Sequence, residues 1–238
     1  MVLAELADLV LPGACAGCGA ERVRLTGGAC AACVTELESL RPRTALPSPP
    51  PIGFPPCVAV GTYAGALRGA LLAYKEKGRH RLARPLGVLL AGAVAEIAPR
   101  DRPVFLVPVP STAAARRERF GDHMARLVGH AARRLQDSGW RVNVVQPLRA
   151  LPRPDSTSLD TSERATVAVN SLRMTPRIGN LRRDSGSRGT LVVADDIVTT
   201  GATLAAVARR FEEADMQVTG AAVLAATQLR RSRPGIRL

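Results

Sequence analysis

Leu191-Val192-Val193-Ala194-Asp195-Asp196-Ile197-Val198-Thr199-Thr200-Gly201-Ala202-Thr203 is the stretch whose reading decides the fold. Four apolar residues in a row, Leu191 to Ala194, predict a central parallel strand covered on both faces. On this reading Asp195 and Asp196 fall at the strand's carboxyl end, where open α/β sheets bind ligands. Thr199 to Thr203 then offers hydroxyls and free backbone N–H groups at a helix start, which suits an anion. Two acids for hydroxyls or a metal thus stand beside a pocket for a phosphate. A phosphorylated sugar needs that combination. An ordinary strand-turn-helix with solvated acids at its corner shares the apolar run. The order of two acids, two threonines and a glycine is much more specific than a lone Gly-rich loop.

Outward from this segment the chain alternates between strand-like and helix-like runs. Val58 to Thr62, Val104 to Val107, Val142 to Val145 and Val218 to Ala226 read as strands. Ala66 to Lys77, Leu86 to Ile97, Ala113 to Leu135 and Ala202 to Ala214 read as helices, with apolar residues at helical spacing. Asp160 to Glu163 has the pattern of a capping box leading into a helix over 164–172. Such alternation predicts an α/β fold with a parallel sheet and helices on both faces.

The N-terminal part is of another kind. Cys15-Ala-Gly-Cys18 and Cys30-Ala-Ala-Cys33 are two Cys-x-x-Cys pairs separated by eleven residues. That spacing fits one tetrahedral zinc site with four thiolates and no open position, hence a structural Zn2+. Redox pairs or disulfides are the competing readings. A single metal accounts for both pairs at once. So small a module depends on its metal to fold. Residues 41–56 hold seven prolines, which forbids a helix and reads as a stiff linker. The expected organisation is therefore a zinc module with an N-terminal helix over 1–40, a Pro-rich linker over 41–56, and an α/β domain over 57–238. Cys57, outside the four-cysteine set, reads as a small buried hydrophobe.

Composition sets further bounds. Hydrophobic residues make up 46% of the 238, but aromatics only 3%, so Ala, Leu and Val must fill the core. No apolar run approaches the roughly 18 residues that span a bilayer. Met1 to Leu11 carries Glu5 and Asp8 and no basic residue, unlike a secretory signal. The expectation is a cytoplasmic protein without membrane insertion. The net charge of +13 favours phosphate-bearing partners, nucleic acid among them, and equally fits a solvated Arg-rich surface.

Three basic or polar stretches add candidates. Val107-Pro-Val-Pro110-Ser111 ends a strand, and Arg116 and Arg117 follow; Ser111 and these arginines can contact a pyrophosphate, or the arginines can form a solvated helix face. Tyr74-Lys75-Glu-Lys-Gly78-Arg-His80-Arg81 reads as a loop over a diphosphate or as a basic helix C-terminus. Residues 149–160 form a hood over the pocket or a plain surface loop. His80, His123 and His130 form no constellation in sequence and read as surface or structural residues.

The Leu191–Thr203 segment closely resembles the phosphoribosyl pyrophosphate (PRPP) signature of type I phosphoribosyltransferases. With the cysteine pairs, Tyr63-Ala-Gly-Ala-Leu-Arg68 and the Val-Pro-Val-Pro loop, nearly the whole chain resembles the ComF family. That family pairs a zinc ribbon with a type I phosphoribosyltransferase-like sheet. The resemblance implies that Asp195 and Asp196 hold the ribose hydroxyls and that Thr199, Thr200, Gly201, Ala202 and Thr203 hold the 5′-phosphate. It implies Mg2+ bound with PRPP, and a link to DNA uptake in competence. Two places depart from the family. Arg119-Phe-Gly-Asp122-His123 stands where the family has Arg-Gly-Phe-Asn-Gln, and Asp155-Ser-Thr-Ser-Leu-Asp160 where it has Thr-x-x-Gln.

Two functions follow as expectations. One is a phosphoribosyltransferase acting on PRPP and an unidentified acceptor, with Lys75, Ser111, Arg116 and Arg117 at the diphosphate. The other is a non-catalytic nucleotide-sensing adaptor that binds single-stranded DNA or a DNA-processing protein through its zinc ribbon and basic surface.

Overall fold

The computed structural model describes residues 13–119, 121–152, 169–179, 181 and 189–227. The strands are β1 (Arg43–Thr44), β2 (Cys57–Thr62), β3 (Val104–Pro108), β4 (Val142–Val144), β5 (Leu148–Ala150), β6 (Leu172–Met174), β7 (Thr190–Val198) and β8 (Gly220–Ala226). The principal helices are α1 (Ala31–Ser39), α2 (Gly65–Glu76), α3 (Ala83–Ile97), α4 (Ala113–Glu118), α5 (His123–Asp137) and α6 (Ala202–Glu212).

Six strands form one sheet in the order β1-β2-β8-β7-β3-β4, parallel except for the edge strand β1. The apolar run Leu191 to Ala194 is fully buried in β7, between β8 and β3. A parallel sheet needs cover on both faces. One face packs Leu67, Leu86, Leu90 and Leu127 from α2, α3 and α5. The other packs Leu204, Val207 and Phe211 from α6, with Leu148 and Leu172 from the small antiparallel β5–β6 ribbon. The mixed α/β class with helices on both faces is as expected. Among the described residues no helix is long and apolar enough to cross a membrane.

Several expectations need correction. β7 does not stop at Ala194 but continues to Val198, so both acids lie inside the strand. The single basic helix over 113–135 is two helices. Asp122 caps α5 by accepting the Ala125 N–H, and the chain breaks before it. Leu172 belongs to β6 and not to a helix. The helix over 1–11, the capping box and most of the 149–160 hood lie outside the described residues.

Within 41–56, Arg43 and Thr44 pair with Ala59 and Val58 of β2. The cysteine module packs directly on α2. A Cβ at Gly69 would lie 1.8 Å from the Gly17 carbonyl oxygen, so the approach requires glycine. Glu36 of α1 accepts the Ala66 N–H at 2.8 Å, supplying a cap to α2 that Ala64 cannot. Arg79 donates to the carbonyls of Ala14 and Gly28 at 2.6 and 3.0 Å.

Candidate functional site

β3 leads through α4 and α5 to β4 on one side, and β7 leads through α6 to β8 on the other. Chain connections therefore diverge between β3 and β7, which is the switch point where open α/β sheets form a crevice. Register fixes what meets there. Pro108 pairs with Ala194, and the Val109 N–H bonds the Ala194 carbonyl at 2.8 Å. The Pro110–Ser111 turn thus leaves β3 beside Asp195 and Asp196. Thr112 begins α4 as its cap, accepting the Ala115 N–H at 3.2 Å.

Consecutive strand residues face opposite ways. Asp196 turns toward α2 and α5 and is only 6% exposed. Lys75 Nζ lies 2.8 Å and His123 Nε2 3.2 Å from its Oδ2. Burial alone would raise this carboxyl's pKa, but the His123 hydrogen bond and the Lys75 ammonium outweigh burial and hold it below the ordinary carboxylate range. Asp195 accepts the Asp196 N–H at 2.9 Å on Oδ1. On the opposite core, Cys57 is buried as expected, and burial with the nearby Asp195 charge pushes its thiol up to about 12.

β7 ends at Val198, and Thr199 and Thr200 are exposed. Gly201 caps α6 with φ of 78°, a left-handed conformation that glycine adopts freely. A Cβ there would meet Phe54 at 2.7 Å and Pro47 at 3.0 Å, so the Pro-rich segment lies against this loop. Ala202 and Thr203 are half-buried at the start of α6. Beside it, a cleft of about 520 Å³ opens at the carboxyl ends of β2 and β8, lined in part by Arg43, Ala45, Pro47, Thr62 and Thr227.

The other candidates divide. Lys75 sits in the last turn of α2 and is brought to Asp196. Arg116 and Arg117 are exposed on α4, Arg116 lying 3.9 Å from Asp122. His123 was expected at the surface or in a structural role, and it is buried against Asp196. Tyr74 braces it from α2, donating to the His123 carbonyl at 2.6 Å. Nothing local in sequence ties residues 75, 123 and 196 together. The departure from the family pattern at Asp122-His123 was the available signal.

The second site is the cysteine cluster. The sulfurs of Cys15, Cys18, Cys30 and Cys33 all lie within 4.8 Å of one another, and all four are free thiols. Cys18 and Cys30 sulfurs are 3.8 Å apart. Zn–S bonds of about 2.3 Å in a tetrahedron set sulfurs about 3.8 Å apart, so the donor set fits a structural zinc. Burial opposes ionisation of Cys15. Backbone N–H groups of Cys18, Cys30 and Gly17 outweigh it and lower the thiol to about 6. Cys33, in the first turn of α1, is raised by burial and by its neighbouring cysteines.

A scan against protein-family models and a search of curated proteins both return no match to this chain.

Proposed function

We propose that this chain binds PRPP, or a closely related phosphorylated ribose, in a type I phosphoribosyltransferase-like crevice of the ComF kind. What supports the reading is the register that sets Pro108 beside Ala194, so that the Pro110–Ser111 segment leaves β3 next to the strand that carries Asp195 and Asp196 and leads into the Thr199–Thr203 loop. Carboxylates suit ribose hydroxyls, and a loop opening a helix suits the 5′-phosphate. Lys75 and His123 both meet the Asp196 carboxylate at Oδ2, and the reading assigns its Oδ1 to a ribose hydroxyl. Magnesium would arrive with the diphosphate. Asp195, the less buried of the two carboxylates, is the one we assign to it.

In transfer, the C1–O bond to diphosphate breaks and its electron pair leaves on the diphosphate. An acceptor's lone pair forms the new bond to C1, and the acceptor's proton passes to solvent. Carboxylates beside the ribose favour the cationic transition state. The four-cysteine module acts as a structural zinc ribbon that supports α2, and through it Lys75. A family-level role in DNA uptake belongs to the same proposal.

Calorimetric titration of the zinc-loaded protein with magnesium–PRPP tests it. Saturable binding that is lost in Asp195→Asn/Asp196→Asn supports the reading, provided the variant is folded. Its absence in the wild type sinks it. The second reading, a non-catalytic cytoplasmic adaptor for DNA or a DNA-processing partner, draws on the net charge of +13 and on the pairing of the Asp196 carboxylate with Lys75. DNA affinity falling steeply with salt, without PRPP binding, would favour that reading.

A further inference from the structure

An apolar groove of about 430 Å³ lies between the four-cysteine module and the α/β domain. α1 supplies Val34 and Leu37, three residues apart and so on one face. The other wall holds Leu82, Val88 and Leu89, at and after the start of α3. Val34, Leu37 and Leu89 are only half-buried, and Val88 is 44% exposed. Protein interiors leave few voids larger than a water molecule, and a contiguous apolar patch at a surface marks a docking site. Exposed Arg84 and Glu38 also line the groove, one charge of each sign, so it suits an apolar occupant and not a charged one.

The chain passes beside this groove near residue 14. One guanidinium, that of Arg79, donates to the Ala14 carbonyl at 2.6 Å and to the Gly28 carbonyl at 3.0 Å. A Cβ on Gly28 would lie 3.3 Å from a Leu82 methyl, and Gly27 lines the groove. A single side chain therefore spans from Ala14 to the groove's edge. Residues 1–12 lead up to that point. Leu3, Leu6, Ala7 and Val10 recur at i, i+3, i+4 and i+7, and Glu5 and Asp8 fall on the opposite side of the same helical wheel. Pro12-Gly13 is a helix stop. A helix over 1–11 would be about 16 Å long. So short a helix is marginal by itself and depends on burying its apolar stripe. The groove beside Ala14 offers that burial.

We propose that residues 1–11 form an amphipathic helix whose Leu3, Leu6 and Val10 side occupies the α1–α3 groove of the same chain. The two walls come from different parts of the protein. The helix thus straps the four-cysteine module to the α/β domain, beyond the Gly17–Gly69 approach and the Arg79 bonds. The strap is independent of any ligand at the β3–β7 crevice.

Hydrogen–deuterium exchange of the zinc-loaded full chain, at low and high protein concentration, tests it. Amides of residues 5–11 should exchange about tenfold or more slower than an unstructured chain. Leu6→Asp/Val10→Asp should abolish that protection and speed exchange at residues 34–38 and 82–89. Val34→Asp/Val88→Asp, one substitution on each wall, should abolish protection of residues 5–11 from the other side. Glu5→Gln/Asp8→Asn, on the opposite face, should leave all of these rates within about twofold of wild type. Circular dichroism and zinc content check folding. The Leu6→Asp/Val10→Asp readout at the two groove peptides decides if the groove variant does not fold. Unprotected residues 5–11 in the wild type overturn the strap. So does protection that survives in a folded groove variant, or groove peptides indifferent to Leu6→Asp/Val10→Asp. Protection that appears only at high concentration, together with a dimer in sedimentation, puts a second copy in the groove and overturns the strap as well.

Discussion

Replacing Lys75 with methionine should destabilise the protein through Asp196. The carboxylate is almost fully buried, and Lys75 at 2.8 Å is its closer cationic partner. Removing one partner of a buried pair costs about 3–5 kcal/mol. Lys75 keeps 19% of its side chain exposed, and His123 still donates, so the lower end, about 3 kcal/mol, applies. Asp196→Asn should cost less, about 1–2 kcal/mol, because the freed ammonium can turn to water. The double variant should be little worse than Asp196→Asn, giving a coupling energy of about 2–3 kcal/mol. Urea unfolding of zinc-loaded protein at neutral pH, with unchanged m-values, measures the cycle. The pH dependence carries a sign. Asp196 titrates below its unfolded value of about 3.9, so its contribution is present above that pH and is lost as pH falls through the folded pKa. The Lys75→Met penalty should therefore shrink in acid. Additive single effects, with coupling under about 0.5 kcal/mol, would refute the reasoning.

Three further outcomes are expected. Gly69→Ala should destabilise although alanine is the better helix former by about 1 kcal/mol, because the new methyl strikes the Gly17 carbonyl; a higher melting temperature would contradict the packing. Chelation should remove one zinc per chain by elemental analysis and lower the melting temperature of the whole α/β domain, since Arg79 and Glu36 tie the module to it; loss of zinc with unchanged melting would show an independent module. Tyr74→Phe should cost about 1–2 kcal/mol in thermal unfolding, through the lost 2.6 Å bond to the His123 carbonyl, and a neutral result would count against Tyr74 as a brace for α5.

What the sequence made legible follows from range. The apolar runs of β2, β3, β7 and β8 and the helical spacing of α2, α3 and α6 are local signals, and these elements lie where expected within a few residues. Burial on both faces forces such patterns. β1, β5 and β6, of two or three residues each, carry too little pattern to be read. The break before α5 was legible in principle, since Gly121-Asp122 is a stop followed by a cap, but the surrounding Ala and Arg masked it. The cysteine cluster was legible because metal geometry constrains spacing. The Lys75–Asp196–His123 contact was not. Its members come from α2, β7 and α5, and only the sheet order brings them together.

Hydrogen–deuterium exchange with and without magnesium–PRPP tests the central claim most directly. The account predicts slowed exchange in peptides covering residues 195–203 and 109–112, which lie at and after the carboxyl ends of β7 and β3 at the switch point. Unchanged exchange in both at saturating PRPP, or protection confined to other parts of the chain, would contradict it.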